Sequence, residues 1–217
     1  MLINADFNER AVLLPQDQEW LPSPAPGVER KMLYREGDEV AIATSVVRYA
    51  PGSAFAPHSH DAGEEFLVLD GTFSDETGDF TKGTYVRNPP GSSHAPFTKD
   101  GTTIFVSLRQ FDMSDSQHVV IDTNTAEWRP GLTDGLSVLP LHQFGTVQTA
   151  MVRWAPGTQF TTHTHFGGEE IFVIDGVFED ELGAYPAGTW LRNPHGSKHA
   201  PWSTEGATIF VRVGHLG

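Results

Sequence analysis

The sequence predicts an all-β protein made of two tandem jelly-roll barrels, and three observations carry that prediction. The first is an internal repeat. Adding 105 to a residue number carries the first half of the chain onto the second, with 27 identities in the 50 positions of residues 48–97 and no gap. Self-similarity at one fixed offset means a single structural unit written twice. The second is a set of short segments rich in β-branched and aromatic residues, at 40–49, 66–69, 84–87 and 102–108. The third is the even spacing of turn signals between them: Pro51-Gly52, Asp70-Gly71, Lys82-Gly83, Pro89-Pro90-Gly91 and Asp100-Gly101. Strands at such spacing belong to a sandwich or barrel, and no stretch sustains the 3.6-residue apolar period of a helix. A barrel per unit also removes the open strand edges that a flat sheet would leave.

Upstream of residue 48 the repeat continues with a three-residue shift, so that Glu19-Trp20 matches Glu127-Trp128 at an offset of 108. Each unit therefore begins near Val12 and near Val120. The boundary falls in the polar stretch 112–118, which divides the chain into domains 1–113 and 114–217. The proline-rich stretch 15–26 is too extended for helix and is expected to wrap a barrel.

Bulk composition narrows the functional classes. There is no cysteine, which removes disulfides, thiolate zinc sites and cysteine nucleophiles. Fourteen basic residues against 28 acidic ones leave a formal net charge of −14, which argues against nucleic acid as a partner. The first residues lack the basic-then-apolar pattern of a signal peptide, and no apolar run approaches a membrane span of about 18 residues. The expectation is a cytoplasmic protein with no membrane partner. The acidic clusters at Asp75-Glu76 and Glu179-Asp180-Glu181 read as solvated surface.

The chemistry sits in one constellation, present twice. The first unit reads Gly52-x5-His58-x-His60-x3-Glu64-x6-Gly71, then Gly83-x5-Pro89-x-Gly91-x2-His94. The second reads Gly157-x5-His163-x-His165-x3-Glu169-x6-Gly176, then Gly188-x5-Pro194-x-Gly196-x2-His199. Residues i and i+2 of a strand share a face, so His58 and His60 present two imidazoles to one barrel interior. Glu64 keeps that parity, and a hairpin returns His94 from a distant strand. Glu65 and Glu170 have the opposite parity and are expected behind the ligands or on the surface. Of ten histidines, six fall at paired positions and all six lie in this pattern. The other four, His118, His142, His195 and His215, have no counterpart and are expected at the surface. Neutral imidazoles plus one carboxylate make a divalent-metal site of formal charge about +1. The donor set by itself does not choose among zinc, iron(II), manganese, nickel and copper. The paired phenylalanines at 55/160, 73/178 and 105/210 read as barrel core, with a second role as dry wall for a pocket.

These two motifs resemble those of the cupin superfamily, whose fold is a double-stranded β-helix, and the match covers both halves of the chain. Finer features resemble the cupin domain of ChrR-type anti-sigma factors. These are the opening Trp20-Leu-Pro-Ser-Pro-Ala-Pro-Gly, the core from His58 to Phe66, and Tyr85-Val-Arg-Asn-Pro-Pro-Gly-Ser-Ser-His-Ala-Pro. The resemblance implies zinc bound through His58, His60, Glu64 and His94, and again through His163, His165, Glu169 and His199. Two departures stand out. Thr98 and Ser203 replace the final Asn of the family's second motif, at a position that is not a ligand. The helical, cysteine-bearing sigma-binding module has no counterpart in this sequence, where a second barrel stands instead.

Two functions follow as expectations. One is a metal-bound sensory module that takes a small ligand, as the resemblance implies. The other is a metal-dependent cupin dioxygenase acting on a small chelating acid, diketone or aromatic. No catalytic residue beyond the ligands is singled out. Arg48, Arg87, Arg153 and Arg192 repeat and are read first as scaffold, paired with Asp70/Asp175 or Glu65/Glu170, and second as contacts for an anionic ligand. Two joined barrels are expected to form an internal pseudo-dimer, with a homodimer as a further possibility.

Overall fold

A computed structural model describes residues 1–216. Antiparallel strands dominate, and the described residues contain no α-helix, only a 3-10 turn at Pro15–Asp17 within the proline-rich stretch. Among the described residues no helix is long and apolar enough to cross a membrane.

The chain forms two compact units. One comprises Met1–Ala5 and Gln18–Thr125, the other Asp6–Asp17 and Ala126–Gly217. In the first, the main sheet runs in the order Leu2–Ile3, Val28–Gly37, Ala41–Tyr49, Thr102–Leu108, Glu64–Asp75, Thr84–Asn88 and Val119–Asp122. The second repeats it with Arg129–Pro130, Leu136–Phe144, Val147–Trp154, Ala207–Val213, Glu169–Asp180, Trp190–Asn193 and Ala11–Leu13. The last strand of each list is short. Val120 pairs with Val86, and Val12 with Leu191, which is Val86 plus 105. The residues near which each sequence repeat begins thus add an edge strand at the same place in the two units.

The alternation of side chains explains both barrels. Phe66, Val68, Phe73, Val86, Ile104 and Val106 meet in one core, and Ile171, Val173, Phe178, Leu191, Ile209 and Trp154 in the other. Of the paired phenylalanines, those at 73, 105, 178 and 210 are buried, whereas Phe55 and Phe160 are half-buried beside the histidines.

One expected turn is not a turn. Asp70-Gly71 lies inside a single strand, Glu64–Asp75, as does Asp175-Gly176 inside Glu169–Asp180. The ladder slips there: Val68 pairs with Ile104 but Asp70 with Thr103, leaving Leu69 as the extra residue of a bulge. Gly71 and Gly176 both have φ 72°, and a Cβ there would lie 2.1 Å and 2.0 Å from the carbonyl oxygens of Gly101 and Gly206. The bulge bends the strand, so its far half pairs with a new partner, Gly78–Thr81 or Gly183–Pro186. Gly176→Ala is therefore expected to cost about 2–3 kcal/mol, from left-handed backbone plus a clash with rigid backbone. Urea unfolding checks it, and a loss below about 0.5 kcal/mol, as at an unconstrained surface site, would refute it.

Candidate metal centres

In each barrel a small two-stranded ribbon presents the histidines. His58–His60 pairs with Ser92–His94, with His58 opposite His94. His163–Thr164 pairs with Lys198–His199, with His163 opposite His199. Direct cross-strand pairing sets two imidazoles side by side, and the i+2 residue adds the third on the same face. The three ring centroids of the first set lie 4.8–5.0 Å apart, and those of the second 4.5–4.9 Å. A tight turn follows the ribbon, closed by the Gly63 amide donating to the His60 carbonyl, and it delivers Glu64 at the start of the long central strand.

The ligand atoms converge. His60 Nε2 and His94 Nε2 are 3.0 Å apart, and Glu64 Oε2 lies 3.4 Å and 3.6 Å from them. The second set gives 3.0, 3.5 and 3.6 Å. Donors held about 2.0–2.2 Å from a common ion lie roughly 3–3.6 Å from one another, so the spacing fits a divalent metal. All four ligand atoms of the C-terminal set lie within 4.8 Å of one another, and in the N-terminal barrel that limit encloses the three histidines. In four of the six histidines Nδ1 is engaged away from the cluster. Nδ1 of His58 and of His163 faces the carbonyls of Ala56 and Thr161, both at 3.0 Å. Nδ1 of His94 faces Asp75 at 3.2 Å, and that of His199 faces Asp180 at 3.5 Å. With Nδ1 donating, Nε2 is the lone-pair nitrogen that a metal needs. Asn88 and Asn193 donate to Glu64 and Glu169 at 3.1 and 2.9 Å.

Burial tunes these groups. It drives the His60 imidazole down to about 4, with the neighbouring His58 a further cause, and His165 down to about 3, with His199 and His163 adding to it. Both rings are therefore neutral at physiological pH. Burial also raises the Glu64 and Glu169 carboxyls, against the pull of His94 and His199. Neutral imidazoles beside a carboxylate that is costly to bury bare form a pocket that a cation relieves.

Several residues stand where sequence alone did not put them. Asp75 and Asp180, expected on the solvated surface, have side chains only 6% and 1% exposed because the bend after the bulge turns them under the histidines. Their signal was the repeat itself, since Asp75, Asn88, Asp180 and Asn193 are paired at offset 105. His118 and His195 are exposed as expected, but His142 and His215 are half-buried. Nδ1 of His215 is buried without a hydrogen-bond partner, and burial, with Arg212 and Arg192 nearby, drives its pKa well below the ordinary value. Its place at the end of the last strand, against the barrel wall, is not visible in a local pattern.

Glu65 and Glu170 are buried on the opposite face from the ligands. Glu65 accepts from Tyr85 and Arg87 at 2.7 and 3.1 Å, and Arg87 also meets Asp115 at 2.6 Å. Glu170 accepts from the Trp190 indole at 2.8 Å and from Arg212 at 2.5 Å. The repeated arginines are scaffold, and Arg87 uses the expected glutamate. Arg48 pairs with Glu29 and covers Trp20, Arg153 covers Trp128, and Arg192 donates to the Asp6 carbonyl. Thr98 and Ser203 donate to the backbone carbonyls of Thr72 and Val177, pinning the bent half of the long strand.

Each ligand set lines a cavity. The N-terminal one holds about 380 Å³ and the C-terminal one about 450 Å³. The latter is walled by Leu136, Val152, Trp154, Phe160, Phe178 and Ile209, with exposed Phe166 and Leu132 at its lining. Phe55 and Phe73 occupy the corresponding wall of the N-terminal cavity, so two of the three phenylalanine pairs line the cavities and Phe105 and Phe210 do not.

Two antiparallel barrels, each with three histidines and a glutamate lining its cavity, define a two-domain cupin. The chain belongs to the ChrR cupin-like domain family, whose model matches residues 8–112 and again 116–217. No curated protein matches it in sequence. Similar solved structures include a proposed dioxygenase of Nostoc punctiforme PCC 73102, with 15% identity and TM-score 0.78, covering 95% of this chain and 82% of that one. A proposed glyoxylate-induced protein of Pseudomonas aeruginosa has 14% identity and TM-score 0.76, with coverage of 98% and 90%. Ylba of E. coli has 16% identity and TM-score 0.73, with coverage of 96% and 92%. At these identities the likeness is one of fold.

Proposed function

We propose that the protein binds one divalent metal in each barrel, through His58, His60, Glu64 and His94 and through His163, His165, Glu169 and His199, and that each metal receives a small molecule in the adjoining cavity. The observation that carries this reading is the convergence of four ligand side chains on a void of several hundred Å³. A closed structural site needs no such void. A bound divalent ion would supply Lewis acidity to a chelating ligand or activate a water. The chain's own residues orient the imidazoles through Asp75 and Asp180, hold the carboxylates through Asn88 and Asn193, and exclude water with phenylalanine walls.

Of two uses of such a site, the cavity favours one. A sensory module of the kind suggested by the family, with zinc as its metal, would report ligand binding without turnover. A metal-dependent oxidoreductase is favoured by the aromatic wall of the C-terminal cavity, which shields a reacting ligand from water, and is in keeping with the dioxygenase proposed for the Nostoc protein. Elemental analysis of freshly purified protein is expected to give two metals per chain. Dioxygen uptake by iron- or manganese-loaded protein with diketones, catechols and flavonols is expected for the oxidoreductase. Two metals with no uptake would leave the sensory reading, and no metal would overturn both.

A further inference from the structure

The two cavities share their ligands but not their charge. The C-terminal lining contains no arginine, lysine or aspartate, and its one glutamate is the ligand Glu169. The N-terminal lining contains Arg30, Arg35 and Arg109, with Glu39 the only carboxylate besides Glu64. Strand register fixes the correspondence. Arg30 faces Val47 as Val138 faces Val152, and Arg35 faces Ala43 as Gln143 faces Gln148. The Arg109 amide donates to Gly63 as that of Gly214 does to Gly168. The exchanges from C-terminal to N-terminal barrel are thus valine, glutamine and glycine for three arginines. The three-residue shift of the repeat sits in the same place. Five residues, Gly37 to Ala41, join Glu36 to Ile42, where two, Gly145 and Thr146, join Phe144 to Val147. That longer turn carries Asp38 and Glu39.

The three cations are unevenly matched by protein acceptors. Arg30 makes a two-pronged pair with Glu39 at 3.0 and 3.2 Å, and its Nε is buried without a partner. Arg35 is 4% exposed, yet its guanidinium has a single hydrogen bond, to the Asp38 carbonyl, and no carboxylate in contact. Arg109 has φ 61°, a left-handed backbone that costs a side-chain-bearing residue and that glycine adopts freely in the other barrel. It reaches only an exposed Asp61 oxygen at 3.8 Å. A buried arginine with no carboxylate in contact, and a strained residue where the other barrel has glycine, both line one cavity.

We infer that the N-terminal cavity is a site for a small organic carboxylate, held by Arg35 with Arg30 and Arg109, while the C-terminal cavity takes an uncharged apolar ligand. The inference rests on the reading of the cavities as ligand sites beside metals, with a second oxygen of the acid facing the N-terminal histidines. A planar guanidinium with free donors matches a carboxylate in two-pronged geometry, and desolvation makes that pair strong.

Calorimetric titration of the full chain, with its metal content measured, tests this using malonate, pyruvate and benzoate, and malonamide as the uncharged control. One acid is expected to bind per chain, with malonamide silent. Arg35→Met is expected to weaken it by about tenfold or more, the scale of one charge-assisted contact, and Arg35→Lys to restore part of the loss. Arg109→Gly removes a cation while relaxing the backbone, so it is expected to weaken binding and raise Tm, which guards against misfolding as the cause. Two acids per chain, equal binding of malonamide, no binding of any acid, or unchanged affinity in both Arg35→Met and Arg109→Gly would overturn the inference. Metal without acid binding would sink this inference alone. Arg35-dependent acid binding by a chain that holds no metal would sink the metal reading and leave the carboxylate site standing.

Discussion

His58→Ala and His163→Ala are each expected to lower the metal content from two ions per chain to one. The ligand sets lie in different compact units, and every hydrogen-bond partner identified for a ligand histidine belongs to its own set or its own repeat: Ala56 and Asp75 for the first, Thr161 and Asp180 for the second. Nothing in either set requires the other to be filled. The effect extends to stability. Metal that binds only the folded chain stabilises it by about 4 kcal/mol when free metal exceeds the dissociation constant a thousandfold. Each variant is therefore expected to keep a chelator-sensitive Tm, reduced from that of the parent. Elemental analysis after exhaustive dialysis, with thermal unfolding with and without chelator, reads both. A fall to zero metal from either single change would show the sites to be coupled.

The second large effect concerns a residue next to a ligand that faces the other way. Glu170→Ala removes an acceptor shared by the Trp190 indole and Arg212, on side chains that are 0% and 3% exposed. Removing the carboxylate of a buried ion pair costs about 3–5 kcal/mol, whereas an exposed pair contributes about 0–1 kcal/mol. Glu29→Ala, which breaks a pair with Arg48 whose two side chains are each 46% exposed, is the control. Urea unfolding of the metal-free variants is expected to separate them by at least about 2 kcal/mol. Comparable losses would mean that Glu170 contributes little to the barrel.

Much of the site was legible because its geometry is local. The spacing of His58 and His60 is a statement about strand parity, and the repeat confirmed it at His163 and His165. The supporting shell was less legible. Asp75 and Asp180 look like surface acid in an acidic protein, and only the bend at Gly71 and Gly176 carries them beneath His94 and His199. Asp70-Gly71 looked like a hairpin because a bulge and a turn call for the same left-handed glycine. The arginines show the converse. Those that repeat read first as scaffold and do brace it, while Arg30, Arg35 and Arg109 do not repeat and gather at one cavity.

By itself the sequence determined the all-β class, the doubling of the unit and the eight candidate ligand residues, because strand parity and repeat identity are properties of order along a chain. It also carried the family, through the motifs around His58 and His94. Tertiary structure alone decided which strands complete each unit. Val12 and Val120 head the two repeats in sequence, but Ala11–Leu13 pairs with Trp190–Asn193 and Val119–Asp122 with Thr84–Asn88. It also decided which charges face a cavity. An edge strand finds its partner through backbone hydrogen bonds that any sequence can make, and a side chain's charge matters to a ligand only once folding has removed the water around it.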